Sequence, residues 1–273
     1  MFTLPGMALQ EGTQRVFNKY IIKLKRHPAR KSTTSNLDRA RCCIRDEFGF
    51  LPPDTAIWTS IRSTNISRLT RNFLWKCLHD TFHIGTFWDH VQNLENFGVC
   101  TTCQVPETME HITLDCYAPA RQVIWSLAER LWRARFKTWP TLNWGLLIGC
   151  ALPRFKSKRG KRSLEGKDRF FTILVSTSMH LIWKIRNERV LENKIVSNTE
   201  VHNRWLSLIN AALKRDQLLT NKARFGSLAK KPQLVLETWS GVLHNEDSLP
   251  DNWLLEKGVL VGIRPISQKI GVG

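Results

Sequence analysis

CTTCQVPETMEHITLDC, residues 100–116, gathers Cys100, Cys103, His111 and Cys116 into one short segment with the pattern C-x2-C-x7-H-x4-C. A C-x2-C turn supplies two thiolates from a single tight loop, and a tetrahedral metal shell needs two more thiolate or imidazole donors. His111 and Cys116 would provide them. On an ideal α-helix, residues five apart point about 140° from each other. Both can therefore reach one ion only if the helix ends or distorts between them. The expectation is a turn or two over residues 107–111, with Cys116 at or past its end. Four protein donors close the shell, so the metal would be structural, with one zinc ion as the natural occupant. The plainer alternative is three small buried hydrophobes and a core histidine. The spacing, in a chain with few other cysteines, favours the metal.

The chain has 273 residues, enough for one large domain or two small ones. Seven cysteines, three of them in the quoted segment, read as thiolate ligands in a reducing, intracellular setting, nuclear or cytoplasmic, and not as a disulfide framework. No apolar run approaches a membrane span, and the amino-terminal residues lack the charged and apolar regions of a signal peptide. The formal charge of +18 calls for an acidic partner, with nucleic acid ahead of an anionic membrane surface. That charge is unevenly placed. Residues 1–45 carry ten basic and two acidic side chains, and residues 151–169 carry eight and two. Residues 46–150, which hold the cysteine segment, are nearly neutral at nine and ten. Phosphate affinity follows the number of neutralising Lys and Arg side chains, so the flanks and not the metal module would grip a polyanion.

The fold class expected is mainly α: a small metal-clamped helical module, then a long helical hairpin, with a basic disordered arm in front. Residues 1–45 show no sustained apolar period and contain KLKRHPARKSTTSN, which suggests the arm. Residues 46–150 form the module, beginning near FLPPDTAIW. Within it Ile66, Leu69, Phe73 and Cys77 make a helical stripe with Leu74 and Leu78 beside it. Trp88, Val91 and Leu94 suggest a shorter helix, and Pro119 is placed to open a third, with Val123, Ile124, Leu127 and Leu131 on one face. Residues 151–169 read as a basic linker. Residues 170–225 form the hairpin. Its first helix carries Phe170, Leu174, Leu181, Ile185 and Val190, and its second opens on the capping box Ser197–Glu200. Residues 226–273 form a carboxy-terminal extension with room for a short strand.

RNFLWKCLHDTFHIGTFW (71–88), the C-x2-C pair, ETMEHITLDC and the following VIW occur in an order that resembles the zinc-binding region found after the reverse transcriptase of non-LTR retrotransposons, most closely the fungal LINE-type elements. HLIWKIRNERVLEN and GVLVGI extend the likeness over most of residues 50–265. The resemblance implies Cys100, Cys103, His111 and Cys116 as zinc ligands, in a module that helps a polymerase hold template RNA or target DNA. The polymerase's paired aspartates and the acidic residues of a ribonuclease H domain have no counterpart here. The chain therefore looks like the severed end of such an element.

PDNWLLEKG offers Asp251, Glu256 and Lys257, but Glu and Lys are adjacent, not one residue apart as a restriction-type nuclease needs, so no enzyme is expected. His79, His83 and His90 lack a cysteine or carboxylate to complete a second metal shell. Helical spacing makes most of Trp58, Trp75, Trp88, Trp125 and Trp183 core residues, not base-stacking ones. Glu107, Glu110 and Asp115 argue against the metal loop itself gripping phosphate. The nucleic-acid contacts expected are Lys23, Lys25, Arg26, Arg30 and Lys31 in the arm and Lys156, Lys158, Arg159, Lys161 and Arg162 in the linker, binding RNA or DNA with low sequence specificity. The alternative is a zinc-stabilised protein-interaction scaffold, docking onto a reverse transcriptase or another retroelement protein, or a relic with little nucleic-acid affinity.

Overall fold

Helix boundaries follow local chemistry. In a computed structural model that describes residues 12–24, 30–156 and 164–266, the chain forms helices α1 (Gln14–Leu24), α2 (Lys31–Phe48), α3 (Asp54–Ser60), α4 (Arg68–His79), α5 (Pro119–Arg133), α6 (Trp144–Ile148), α7 (Glu165–Leu191), α8 (Asn198–Leu219), α9 (Lys222–Phe225) and α10 (Pro232–Trp239). Ser67 caps α4 by accepting the Thr70 N–H at 3.2 Å, and Pro119 occupies the first turn of α5. At α8 half of the expected capping box forms. Ser197 Oγ accepts the Glu200 N–H at 3.2 Å, while the Glu200 carboxylate turns to Lys194 and Arg204, each at 3.6 Å.

The mainly helical class stands. Among the described residues pairing is confined to isolated bridges, so the carboxy-terminal strand shrinks to Leu243 opposite Val261. α7 is the axis of the fold. Phe170 through Ser176 are buried without a break, as in a helix covered on all sides, and α7 packs on α4, α5, α6, α8 and α10. With α8 it makes the expected hairpin. Trp132 of α5 sits against α7, with the rings of Phe136, Phe155, Phe170 and Phe171 centred 4.6, 5.4, 6.0 and 5.6 Å away.

Three sequence expectations need correction. The stretch 31–45 is not an arm: it is most of α2, and Leu37, Ala40 and Ile44 lie in the core against α6 and α4. Their spacing is helical, but Ala and Cys are small and the surrounding residues polar, so the apolar period is faint. Tertiary contact supplies what propensity lacks. Asn36 Nδ2 donates to the carbonyls of Cys77 and Leu78, and its Oδ1 accepts the Trp144 indole N–H at 2.8 Å. Gly145 lets α6 lie on α2, since a Cβ there would stand 2.3 Å from the Arg39 carbonyl oxygen. The linker is shorter than 151–169 at its far end, because α7 begins at Glu165 and both Asp168 and Arg169 are buried. The helix drawn through Trp88 and Leu94 is two 3-10 turns, Gly85–His90 and Glu95–Gly98, separated by Asn93 in the left-handed region at φ 64°. One apolar core runs from Leu37 to Ile263, so the module, the hairpin and the extension share it.

The core also encloses charge. Asp216 of α8 forms an ion pair with Arg169 of α7 at 2.5 Å and accepts from Lys230 at 2.9 Å and from the Trp239 indole of α10 at 2.8 Å. Burial alone would raise the Asp216 carboxyl. Arg169 and Lys230 outweigh it and hold the group below its ordinary value.

Candidate metal centre

The loop that carries Cys100 and Cys103 is closed by backbone pairing. The Cys100 N–H donates to Val105 and the Gln104 N–H to Cys100, both at 2.8 Å, with Gln104 left-handed at φ 57°. Val99 bridges Pro106, and the Glu107 N–H donates to Gly98 at 2.9 Å. Gly85 seats this hairpin: it has φ 54°, and a Cβ on it would lie 2.4 Å from the Glu107 carbonyl oxygen.

The other two ligands come from a π-turn, His111–Asp115, immediately followed by Cys116. The Cys116 N–H donates to the His111 carbonyl, five residues back, at 2.7 Å. This wider turn is the distortion that the five-residue spacing demands, because it brings positions i and i+5 back to the same side. The Thr113 carbonyl, out of line in such a turn, accepts the Trp125 indole N–H at 2.7 Å.

The donor atoms of Cys100, Cys103, His111 and Cys116 all lie within 4.8 Å of one another. Cys116 Sγ is 3.6 Å from Cys100 Sγ and 3.8 Å from Cys103 Sγ. A tetrahedral ion about 2.3 Å from each sulfur sets edges of about 3.8 Å, whereas a disulfide needs about 2.05 Å. His111 Nε2 is buried with no hydrogen-bond partner, as suits an imidazole reserved for a metal. The Tyr117 N–H points at Cys103 Sγ (3.3 Å) and the Ala118 N–H at Cys116 Sγ (3.5 Å). Burial works against ionising Cys100, but His111 and the N–H groups of Thr102 and Cys103 outweigh it and lower its pKa. Cys116 is pushed up, by burial first and then by its neighbour Cys100. The four residues could thus hold a metal ion by composition and by spacing, and among the described residues they are the only such group.

Glu107, read in the sequence only as a charge on the loop, and three arginines that the sequence did not flag complete the surroundings. Glu107, buried, pairs with buried Arg186 of α7. Glu107 Oε1 and Arg186 Nε, both without a partner, are the two atoms that a bidentate fork between these side chains would join. Glu107 is therefore turned into the fold. Arg189 donates to Thr102 Oγ1 at 2.9 Å, and Arg121 donates to the Cys116 carbonyl. Three thiolates and a neutral imidazole around a divalent ion would carry one net negative charge, and these two guanidiniums would flank it.

The remaining candidates fall elsewhere. Arg30 and Lys31 sit at the amino end of α2, where Arg30 reaches the His79 carbonyl at 3.4 Å. Lys23 belongs to α1 and Lys156 is exposed. Lys25, Arg26, Lys158, Arg159, Lys161 and Arg162 lie outside the described residues. His79 is engaged with Thr33 Oγ1 (3.0 Å) and stacks on Trp58, while His83 stacks on Phe87 at 4.0 Å. Trp125 is core, as the spacing suggested, whereas Trp75 is exposed. No helix among the described residues is long and apolar enough to cross a membrane. No protein-family model, curated protein or solved structure matches the chain.

Proposed function

We propose that this chain is a non-catalytic, zinc-stabilised helical module that binds RNA or DNA with low sequence specificity, derived from the region that follows a retroelement reverse transcriptase. The observation that carries the reading is the Cys3His cluster, with two of its residues set by a π-turn and its sulfurs met by backbone N–H groups. Three thiolates and an imidazole in a closed tetrahedral set suit zinc over other biological metals. With no position left for water, the ion would act by holding the hairpin 98–107 against the π-turn, and through Glu107 and Arg189 against α7. Thiolate ligands stay reduced most readily in the cytoplasm or nucleus, which is the compartment this reading carries. Nucleic-acid binding is supported by the charge of +18.

The test pairs two measurements on the full chain. Metal content should come to one zinc per chain. Binding to an RNA hairpin and a DNA duplex should weaken steeply as salt rises. A chain purified without zinc, or one that binds neither polymer at low salt, sinks the reading. A second reading, docking onto a reverse transcriptase or another retroelement protein, is favoured by one feature. Beside Cys116 lies a cavity of about 370 Å³ floored by Ile112, Ile182, Ile185 and Val196, and Ile195 at its edge is 93% exposed.

A further inference from the structure

The outer face of α4 is unlike the rest of the helix. Arg68, Leu69, Asn72, Trp75 and Lys76 are all exposed, and at 100° per residue they fall within one third of the helix circumference. Phe73, Leu74, Cys77 and Leu78 occupy the opposite side, in the core. Two bulky apolar side chains are thus left in solvent, Leu69 at 68% and Trp75 at 45% exposure, on a helix that contains no Asp or Glu. Arg62 precedes the strip, and Arg30 reaches the carbonyl of His79 at its far end.

Further rings extend outward from this strip on both sides. Trp75 leans on His79 with centroids 4.4 Å apart, and His79 stacks on Trp58 at 5.0 Å. On the other side Lys76 lies 5.8 Å from the Phe82 ring, and Phe82 packs on Trp183 at 4.4 Å. His79 is held below its ordinary pKa by burial and by Arg30, so it stays neutral and available to support Trp75 as a flat partner.

We infer that the α4 face is a docking strip for single-stranded nucleic acid, in which an unpaired base stacks on Trp75 and flanking phosphates meet Arg68 and Lys76. This rests on the nucleic-acid reading above and adds a base contact on α4 to the phosphate contacts expected of the basic runs at 23–31 and 156–162. A single strand suits the strip better than a duplex because a paired base offers no free face to an indole. It suits better than an acidic polypeptide because the strip joins a flat ring to cations at both ends, about 12 Å apart along the axis.

The test is fluorescence anisotropy of zinc-loaded full-length protein with a labelled U12 strand, a dT12 strand and a DNA duplex, at several salt concentrations. Trp75→Leu keeps apolar bulk and removes the π-face. It should weaken U12 and dT12 roughly tenfold, leave the duplex unchanged, and leave the salt slope unchanged. Trp75→Phe should restore most of the loss. Arg68→Gln with Lys76→Gln should flatten the single-strand slope by about 1.4. Melting curves of each variant check that the fold is kept, which the exposure of these side chains favours. Wild-type binding that these variants do not alter overturns the strip and leaves the nucleic-acid reading standing. Equal competition by polyglutamate overturns it too, since charge alone would then suffice. Failure of the wild type to bind any strand at low salt removes both.

Discussion

Cutting the tie between Glu107 and Arg186 should cost far more than cutting any surface ion pair in the molecule. Their side chains are 1% and 6% exposed, and they join the metal hairpin to α7 across 79 residues of sequence. Arg186→Met leaves the carboxylate of Glu107 enclosed with no cation beside it. Removing one partner of a buried pair typically costs about 3–5 kcal/mol, and for a chain of this size that lowers Tm by roughly 6–20 °C. Glu107→Leu should be similarly damaging. The double variant should return to within about 1 kcal/mol of the wild type, because replacing both charges by apolar groups removes their desolvation as well as their attraction. The assay is a double-mutant cycle in urea, followed by far-UV circular dichroism, with zinc content checked for each variant. Singles that lose less than about 1 kcal/mol, the range of exposed pairs, would show that the pair is solvated and refute the argument. A double variant as unstable as the singles would instead mean that the guanidinium stem, not the charge, fills the site.

Lys167 places its ammonium 4.4, 4.8 and 5.3 Å from the rings of Phe155, Phe136 and Trp132. Lys167→Met should therefore cost about 1 kcal/mol, and an unchanged urea midpoint would contradict that. Thiol labelling of the zinc-loaded native protein should report one fast cysteine, the exposed Cys42. Cys43, Cys77 and Cys150 are pushed up by burial, Cys150 to about 12, and three more thiols are held in the cluster. After chelation the fast count should rise to four, and a count that stays at one would argue against the metal. The carboxylate of Asp216, lowered by Arg169 and Lys230 despite its burial, stabilises the fold fully above its ordinary value of 3.8 and loses this as pH falls through the lower folded value. The stability gap between wild type and Asp216→Asn should be flat above about pH 5 and close progressively in more acidic solution; a gap that opens there refutes the network. Cys103→Ser, or chelation, should loosen residues 98–118 in hydrogen exchange. α5 should keep much of its protection, since Ile124, Leu127, Leu131 and Trp132 belong to the shared core. Loss of α5 along with the loop would show that the metal holds the whole body, and full protection throughout would end the structural-metal reading.

How much of this was legible in the sequence depends on how far apart the partners lie. The four ligands fall within seventeen consecutive residues, so their types and spacing state the site before any coordinate does. Even the distortion between His111 and Cys116 was forced by geometry, although its form, a π-turn braced by Trp125, was not. Apolar periods located α4 and α5, which bury several large side chains on one side; the spacing of Phe170, Leu174, Leu181 and Ile185 located α7, which is covered on all sides, and Ser197 located the start of α8. α2 escaped because its inner face is made of Leu37, Ala40, Cys43 and Ile44 alternating with charge, and because its fit depends on Asn36 meeting Trp144 and the end of α4. Leu69 shows the opposite error: helical spacing alone placed it inward, yet it faces water. A period identifies which residues share a face, but a helix with two apolar edges does not say which edge the rest of the chain will cover. The edge left uncovered on α4 carries Leu69 and Trp75 between cations. Its exposure is thus decided by tertiary packing, the one level that no local pattern reports.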